Sequence, residues 1–283
     1  TLKAVRRSDE PMYTRTQELV KRMVALGFHE AMHYTLRPRT PRDAAGAIEN
    51  PLSPEMSCLR QSLVPGMVEA LELNRSRGNT VRPMFELGHV FEHREGKLWE
   101  RVALAWVQPM SPLPQTWQKK APVADFWAMK AVAEALLGAC GLPEAAWQRV
   151  ENDPLWQAWH SAAAKPAQKV DARCGVVSLE ASKQAGWTGT VLGGEIIFDL
   201  DSFDETVPTQ RAEALSSFPP VRRDVAVVVA QETPAGEVMR QVKAAAQAAV
   251  QGSCQLEAVE IFDLYQGAGV PEGKKSVALA LSL

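Results

Sequence analysis

Apolar and polar positions alternate along the chain with two distinct periods. Three stretches have the helical period, and each ends at or near a glycine: residues 14–26, 62–73 and 125–140. Alternating or unbroken apolar runs predict strands over residues 28–34, 81–92, 101–107, 173–179 and 190–200. Residues 143–170 contain three tryptophans and fit neither period. The pattern up to residue 200 therefore predicts a mixture of helices and strands.

The pattern changes after a linker at residues 205–220. A Val/Ala-rich strand over residues 224–230 precedes a helix that begins at Thr233-Pro234 and runs to about residue 250. Two further strands are predicted over residues 256–265 and 275–283. The order β-α-β-β opens a ferredoxin-like split βαβ fold, whose usual second helix and fourth strand do not follow.

The sequence therefore predicts the α+β class and two domains. The first domain is expected over residues 1–205 and the second over residues 211–283, incomplete at its C-terminus. A length of 283 residues accommodates two such domains.

Charge and composition exclude several classes of protein. The net charge of −2 divides into +4 over residues 1–82, −5 over 83–210 and −1 over 211–283, so bulk basicity does not predict nucleic-acid binding. No apolar run approaches the roughly 20 residues of a membrane span, and no leader is recognisable. The four cysteines form no CxxC pair, which favours free thiols. We expect a cytoplasmic protein with no membrane partner.

One motif imitates a metal site. His29-Glu30-Ala31-Met32-His33 matches H-E-x-x-H, which binds zinc when both histidines lie on one helix face. Here the motif follows Gly27 in a strand-like stretch, where residues four apart lie about 13 Å from each other. We therefore expect no metal ligands, and a buried face of Phe28, Met32 and Tyr34. The same objection applies to His89 and His93, and a zinc hydrolase is the weakest hypothesis.

Two cation pairs adjoin strands of the second domain. Arg222-Arg223 stands before one strand and Lys274-Lys275 before another. If these strands are neighbours, both pairs emerge at one edge and contact phosphates; solvated strand ends are the alternative. Phe218, Phe262 and Tyr265 are candidates for stacking on unpaired bases.

The spacing of two of these aromatic residues restricts that role. Phe262 and Tyr265 have an odd separation in a strand, which places them on opposite sides. At most one of them can then be buried while the other stacks on a base.

Four segments carry a family resemblance. Residues 50–79, NPLSPEMSCLRQSLVPGMVEALELNRSRGN, resemble the β subunit of bacterial phenylalanyl-tRNA synthetase. So do VRPMFELGHVFE from residue 81, FPPVRRDVAVVV from residue 218 and IFDLYQGAGVPEGKKS from residue 261. The resemblance implies a class II synthetase-like antiparallel sheet with helices in the first domain. It implies a ferredoxin-like anticodon-binding α/β sandwich in the second.

The resemblance also implies that this chain has no catalytic residues. Class II active sites hold ATP with a motif 2 arginine and a motif 3 arginine. Here the first position is Phe85-Glu86-Leu87-Gly88, and the second lies in the acidic strand from Glu195 through Asp199 to Asp201. We therefore expect an inactive portion of phenylalanine–tRNA ligase. ATP and Mg²⁺ would be used by the holoenzyme and not by this chain.

The implied partners are a catalytic α subunit, in an α2β2 heterotetramer, and tRNA(Phe). The helix at the motif 1 position would present Leu19, Val20, Met23 and Leu26 to the α subunit, although an intrachain core fits the same pattern. The candidate RNA-binding residues are Arg222, Arg223, Lys274 and Lys275.

The sequence departs from the family in one place and leaves one alternative open. Where the family has a His-Pro-Gly-Arg-like turn, this chain has Trp159-His160-Ser161-Ala162. The alternative is a stand-alone synthetase-like paralogue that binds RNA or regulates.

Overall fold

The computed structural model describes residues 11–39, 46–110, 123–142, 145–167, 169–203, 219–250 and 254–283. The chain separates into two compact units, residues 1–209 (unit 1) and residues 210–283 (unit 2). All four cysteines lie within the described residues, and none forms a disulfide. Among the helices of the described ranges, none is long and apolar enough to cross a membrane.

Unit 1 is built on a seven-stranded sheet. In chain order its elements are α1 (Pro11–Ala25), β1 (His29–Glu30), β2 (Leu36–Arg37), β3 (Cys58–Leu59), α2 (Val64–Ser76), β4 (Met84–Arg94), β5 (Lys97–Pro109), α3 (Phe126–Ala139), β6 (Gln148–Arg149), β7 (Trp156–Ala167), β8 (Val170–Val177), α4 (Leu179–Gln184) and β9 (Val191–Asp199). The strand order is β1-β4-β5-β9-β8-β7-β6. Only β1 pairs in parallel, with β4; the other neighbours in this sheet are antiparallel. Strands β2 and β3 form a separate pair.

Helices cover both faces of this sheet. Helices α1 and α3 pack on one face, which we call the α3 face, through Leu19, Met23, Met129 and Leu136 against Phe85, Leu104, Trp106 and Ile196. Helix α2 packs on the other, the α2 face, through Val64, Met67, Val68 and Leu71 against Met84, Ala105, Val107 and Val191. Helix α4 adds Ala181 to the α2 face. The sheet is therefore the middle layer of three.

Local signals explain where these elements begin and end. Helix α1 ends at Gly27, which has φ +88°. The Asp125 side chain accepts a hydrogen bond of 2.9 Å from the Ala128 amide and caps α3. Glu95 and Gly96 both have positive φ, as a tight hairpin turn between β4 and β5 requires.

The strand expected over residues 28–34 is shorter than predicted. Strand β1 contains only His29–Glu30, because the chain leaves the sheet after the Ala31 amide bonds the Phe85 carbonyl at 2.7 Å. Phe28 is buried, but Met32 and Tyr34 are exposed, so the expected buried face of three residues is wrong.

Residues 143–170 contain two strands that the periodicity did not predict. In β7 the pairing shifts register between Trp156 and Ser161 and again between Ala164 and Ala167. Each shift changes which side chains face the same way, so the two-residue alternation is lost.

Unit 2 is a three-stranded antiparallel sheet with one helix. Its elements are β10 (Arg222–Ala230), α5 (Ala235–Ala249), β11 (Ala258–Tyr265) and β12 (Lys274–Ser282), in the strand order β10-β12-β11. Val238 of α5 packs on Val277, Leu279 and Leu281 of β12. Helix α5 begins at Ala235, just after the predicted start at Thr233-Pro234, and no side chain caps it. The α+β class predicted from the sequence is confirmed.

Candidate functional site

Two acidic residues of unit 1 lie in the same row across the sheet. Glu86 of β4 is opposite Ala105 of β5, which is opposite Glu195 of β9, which is opposite Arg173 of β8. Ala105 belongs to the core under α2, so this row faces the α2 face. Both carboxylates are almost completely buried, with residue exposures of 1% and 2%. A buried carboxylate needs partners, and each has a specific set.

Glu86 is held by a cation and a histidine. Arg60 Nη1 donates to Glu86 Oε1 at 2.6 Å, and His33 Nδ1 lies 2.5 Å from Glu86 Oε2. Burial raises the pKa of Glu86, but the His33 hydrogen bond and the Arg60 charge outweigh it and hold the pKa below its ordinary value. Arg60 also donates to the carbonyls of His89 and His33. The guanidinium thereby joins three separate segments.

This arrangement requires a glycine beside it. A Cβ at Gly88 would lie 2.3 Å from Arg60 Nη2. The glycine of the Phe85-Glu86-Leu87-Gly88 segment thus makes room for the guanidinium.

Glu195 is held by the start of α2. The Ser62 hydroxyl donates to the carboxylate at 2.9 Å, and the Leu63 amide donates to it at 2.8 Å. Burial raises the pKa of Glu195, and these two hydrogen bonds oppose the effect only in part. Residues 60–63 are therefore fastened to the sheet by two carboxylates.

The acidic strand has a second buried partner near its end. Arg101, with 2% of its surface exposed, lies 2.5 Å from Asp199 Oδ1 and 2.6 Å from Asp171 Oδ2. The side chain of Asp201 lies outside the described residues. The carboxylates of Glu195 and Asp199 thus stabilise the fold of their own chain.

A cleft of about 320 Å³ remains on the α2 face beside Glu195. The cations of its lining are occupied by acidic neighbours, with Arg37 at 2.6 Å from Glu69 and Arg173 at 3.3 Å from Asp153. Negative charge near the cleft and paired cations around it do not fit a triphosphate.

The histidines of the two H-x-x-x-H stretches have other partners. His29 lies in an exposed two-residue strand, and the His33 side chain contacts Glu86. The two histidines therefore do not share a helix face. His89 forms an ion pair with Glu100 at 2.7 Å. Within the described ranges no three His, Cys, Asp or Glu side chains converge on a metal position.

In unit 2 the candidate cations do not meet. Strands β10 and β12 are neighbours but antiparallel, so Arg222 is opposite Ser282 and Lys274 is opposite Ala230. Eight residues of strand, about 26 Å, separate the two ends. The prediction that both pairs emerge at one edge is wrong, because it treated neighbouring strands as parallel.

The sheet face away from α5 is open. Helix α5 packs on the odd-numbered residues of β12, so the even-numbered residues Ser276, Ala278 and Ala280 lie on the other face. Arg222 and Lys274 have the same parity as the residues of this open face. Arg223 and Lys275 have the parity of the helix side.

Phe262 and Tyr265 are both exposed, at 59% and 47%. The pairing of β11 with β12 shifts between Ile261 and Asp263, and Phe262 is the residue without a cross-strand partner. Tyr265 is opposite Ser276, on the open face. The bulge removes the simple alternation from which opposite orientations were predicted. Phe218 lies outside the described residues.

The four residues predicted for a subunit interface divide into two groups. Leu19 and Met23 are buried in the core of the α3 face, and Val20 packs partly against that core. Leu26 remains 49% exposed. The structure thus gives Leu19 and Met23 the intrachain role that the sequence left open, because these side chains face the sheet.

Other exposed apolar residues nearby were missed by the sequence analysis. Tyr13 and Val24 of α1, and Met32 and Tyr34 after β1, are all more than half exposed. Tyr13 and Val24 lie off the predicted apolar stripe of α1, so the helical period did not identify them, and Met32 and Tyr34 had been predicted to be buried.

Unit 1 therefore has an α+β fold with Glu86 and Glu195 in the segments that were expected to hold phosphate, and unit 2 has a ferredoxin-like fold. Residues 1–198 match the family model of the phenylalanyl-tRNA synthetase beta chain CLM domain, and residues 216–283 match the ferredoxin-fold anticodon-binding domain. The chain belongs to the family of phenylalanyl-tRNA synthetase beta chains.

Several relatives named phenylalanine–tRNA ligase beta subunit match most of this chain. The protein of Methylococcus capsulatus is 32% identical over 91% of this chain and 32% of its own length. Those of Pectobacterium atrosepticum and Geobacter sulfurreducens are 30% and 29% identical, over 92% and 96% of this chain and 33% and 35% of theirs. The chain spans about a third of these curated relatives.

A solved structure of PylSc from Desulfitobacterium hafniense, a pyrrolysyl tRNA synthetase, is also similar. It has 15% sequence identity and a TM-score of 0.49, over 68% of this chain and 65% of that chain.

Proposed function

We propose that this chain is a non-catalytic portion of phenylalanine–tRNA ligase that supports a catalytic α subunit and contacts tRNA(Phe). The observation that carries the proposal is the burial of Glu86 and Glu195 under residues 60–63. Carboxylates in these places repel the phosphates of ATP. ATP and Mg²⁺ would act in the α subunit, and the complex would work in the cytoplasm. We assign the domains to residues 1–205 and 211–283.

ATP–pyrophosphate exchange tests the proposal that this chain is not catalytic. We expect no exchange by this chain alone and phenylalanine-dependent exchange by its complex with the α subunit. Exchange by the isolated chain at the rate of the complex would refute the proposal.

We propose that the exposed side of α1 and the segment after β1 bind the α subunit. Val24 and Leu26, at 57% and 49% exposure, are the residues to change. Their joint replacement by Glu should weaken complex formation in a pull-down or by analytical ultracentrifugation. Leu73→Glu on α2 is the matched control, because Leu73 is also 49% exposed. If the wild-type chain forms no complex with any α subunit tested, the stand-alone paralogue is the better hypothesis.

We propose that the open face of unit 2 contacts unpaired nucleotides of the tRNA. Phe262 and Tyr265 supply aromatic rings, and Arg222 and Lys274 supply cations at the two ends of the face. Arg223 and Lys275 lie at the same two ends of the sheet but on its helix side, and they contribute to tRNA binding by contacting phosphates.

The test is tRNA affinity at two salt concentrations. Each of Arg222→Ala and Lys274→Ala should weaken binding several-fold and reduce the salt slope by about 0.7 to 0.9. Arg240→Ala is the control, since Arg240 lies on α5 and pairs with Glu237. An unchanged slope in both strand variants would remove these residues from the interface.

A further inference from the structure

Two cation–aromatic pairs lie near the β6 edge of unit 1. Lys130 of α3 lies 5.8 Å from the ring centre of Trp147, and Arg149 of β6 lies 5.8 Å from that of Trp159. Trp147 and Arg149 are two positions apart, so in extended chain their side chains point the same way, roughly 7 Å from each other. We call these four residues the edge ridge. Of the four, Arg149 lies on β6, the strand at the end of the sheet order, and Trp159 lies on its neighbour β7.

The outermost ring of this ridge is held in an unusual backbone conformation. Trp159 has φ +67°, which a bulky residue rarely adopts, and yet its side chain is 62% exposed. The Trp159 amide donates to the Val150 carbonyl at 3.0 Å, and the Val150 amide donates to the Ser161 carbonyl at 2.9 Å. A Cβ at Gly175 would come within 2.5 Å of the same bulge. The fold therefore fixes a strained position whose ring buries little surface.

Strain at an exposed, rigidly held aromatic residue is typical of a binding position. We propose that the edge ridge binds unpaired RNA nucleotides, with a base stacked on Trp159 and a phosphate at Arg149. Stacking on aromatic and guanidinium planes is the usual way in which proteins bind single-stranded RNA.

The charges of the ridge select Arg149 as the phosphate contact. Lys130 is already paired with Glu134, which also accepts a hydrogen bond from the Trp147 indole at 3.1 Å. Arg149 forms no ion pair with any residue that the structure describes, and it is exposed. His160 beside Trp159 is also exposed, and its Nδ1 lies 3.2 Å from the Ala158 carbonyl. A site for one or two nucleotides does not need a larger basic surface than this.

The experiment compares two exposed tryptophans in the full chain. Trp99 is the matched control, because it is 46% exposed and lies under Arg94 at 5.9 Å, but in the regular strand β5. The probes are a single-stranded oligoribonucleotide and a tRNA(Phe) transcript, and the readout is affinity by fluorescence anisotropy. Trp159→Ala and Trp159→Gly should each weaken oligoribonucleotide binding at least fivefold. Trp99→Ala should leave it unchanged.

Thermal unfolding separates binding from folding. Glycine adopts positive φ without strain, so Trp159→Gly should have a Tm equal to or above that of Trp159→Ala. Arg149→Lys should retain part of the affinity, because it keeps the charge and loses the planar group. Unchanged RNA affinity in both folded Trp159 variants would overturn the proposal. So would unchanged RNA affinity with lost binding to the α subunit, which would make the ridge a protein interface.

The choice of tRNA as a probe rests on the proposed function, but the oligoribonucleotide arm does not. If Tyr265→Ala weakens tRNA binding and the Trp159 variants do not, the ridge is refuted and the unit 2 contact stands. If only the Trp159 variants weaken binding, the ridge is supported and the unit 2 contact fails.

Discussion

The two sheets of this chain use charged residues in opposite ways. In the seven-stranded sheet of unit 1, Glu86 and Arg101 are buried in ion pairs, and Glu195 is buried with hydrogen bonds from Ser62 and Leu63. In the three-stranded sheet of unit 2, Arg222 and Lys274 are exposed at the two ends of the open face, which also carries Asp224, Glu260 and Asp263. Both faces of the first sheet are covered, whereas one face of the second is open. Charge inside the first sheet therefore maintains structure, and charge on the second is available to a partner.

This contrast bears on the proposal that unit 1 is not catalytic. A carboxylate at a phosphate position removes ATP binding, but it also leaves a buried charge that needs a counter-ion. Arg60, Ser62 and Leu63 supply the partners. These contacts hold residues 60–63 against the sheet.

The strongest test of the contrast is Glu86→Leu. It leaves Arg60 buried beside an apolar group, so we expect a loss of about 3–5 kcal/mol in the free energy of unfolding. Urea denaturation measures it. Glu100→Leu is the control, because the Glu100–His89 pair is about half exposed and contributes about 0–1 kcal/mol. Equal effects would show that the buried pair has no special role.

The same kind of change in unit 2 should affect binding and not folding. Phe262→Ala and Tyr265→Ala remove exposed rings, so each should cost about 1–3 kcal/mol of tRNA binding, measured by filter binding. Val228→Ala is the control, since Val228 is also exposed in this sheet but has no ring. A large stability loss in place of a binding loss would contradict the comparison.

Sequence patterns predicted most elements of both sheets, because their core faces keep a regular period. Helices α1, α2 and α3 follow the predicted stripes, with Leu19, Met67 and Met129 all buried. Several of the misses share one physical cause. Bulges in β7 and β11 break the alternation, so Trp159, Phe262 and Tyr265 could not be oriented from spacing.

The sequence identified the acidic residues of the candidate site but not how they are arranged in the sheet. The acidic character of Glu86 and Glu195 is visible in the sequence, but their common row depends on β9 pairing with β5. The sequence did not identify Arg60 and Ser62 as part of the site, because their partners lie 26 and 133 positions away.

The two buried carboxylates should also respond to pH in opposite directions. The folded-state pKa of Glu86 is lowered, so its stabilisation is present above about pH 4.5 and is lost as the pH falls through the lower folded pKa. The folded-state pKa of Glu195 is raised, so its contribution is greatest below about pH 4.5 and declines as the pH rises through the folded pKa.

The stability of wild type and of Glu195→Gln, compared across pH, tests the direction of the Glu195 pKa shift. The stability of the variant relative to wild type should increase from pH 4.5 to pH 8, by about 1.4 kcal/mol for each pKa unit between the folded and unfolded states. Urea midpoints at four pH values measure it. A difference that is constant over this range would show that Glu195 titrates normally.

The smallest effect is expected on the outer side of α1. Val24→Ser should change the free energy of unfolding by less than about 0.5 kcal/mol, because Val24 is 57% exposed. Met23→Ala, one position earlier and fully buried, should cost about 2–5 kcal/mol. Similar losses in the two variants would mean that α1 packs on both sides.

The central position of β9 has a consequence for how the chain folds during synthesis. Strand β9 is the last strand of unit 1 to leave the ribosome, yet it lies between β5 and β8. Until residue 199 emerges, the β4–β5 hairpin and the β6–β7–β8 strands are separate pieces with unpaired edges. Ser62 likewise has no hydrogen-bond acceptor in Glu195 until that residue, 133 positions later, has been synthesised. Such a high contact order predicts slow closure and a nascent chain that benefits from chaperones.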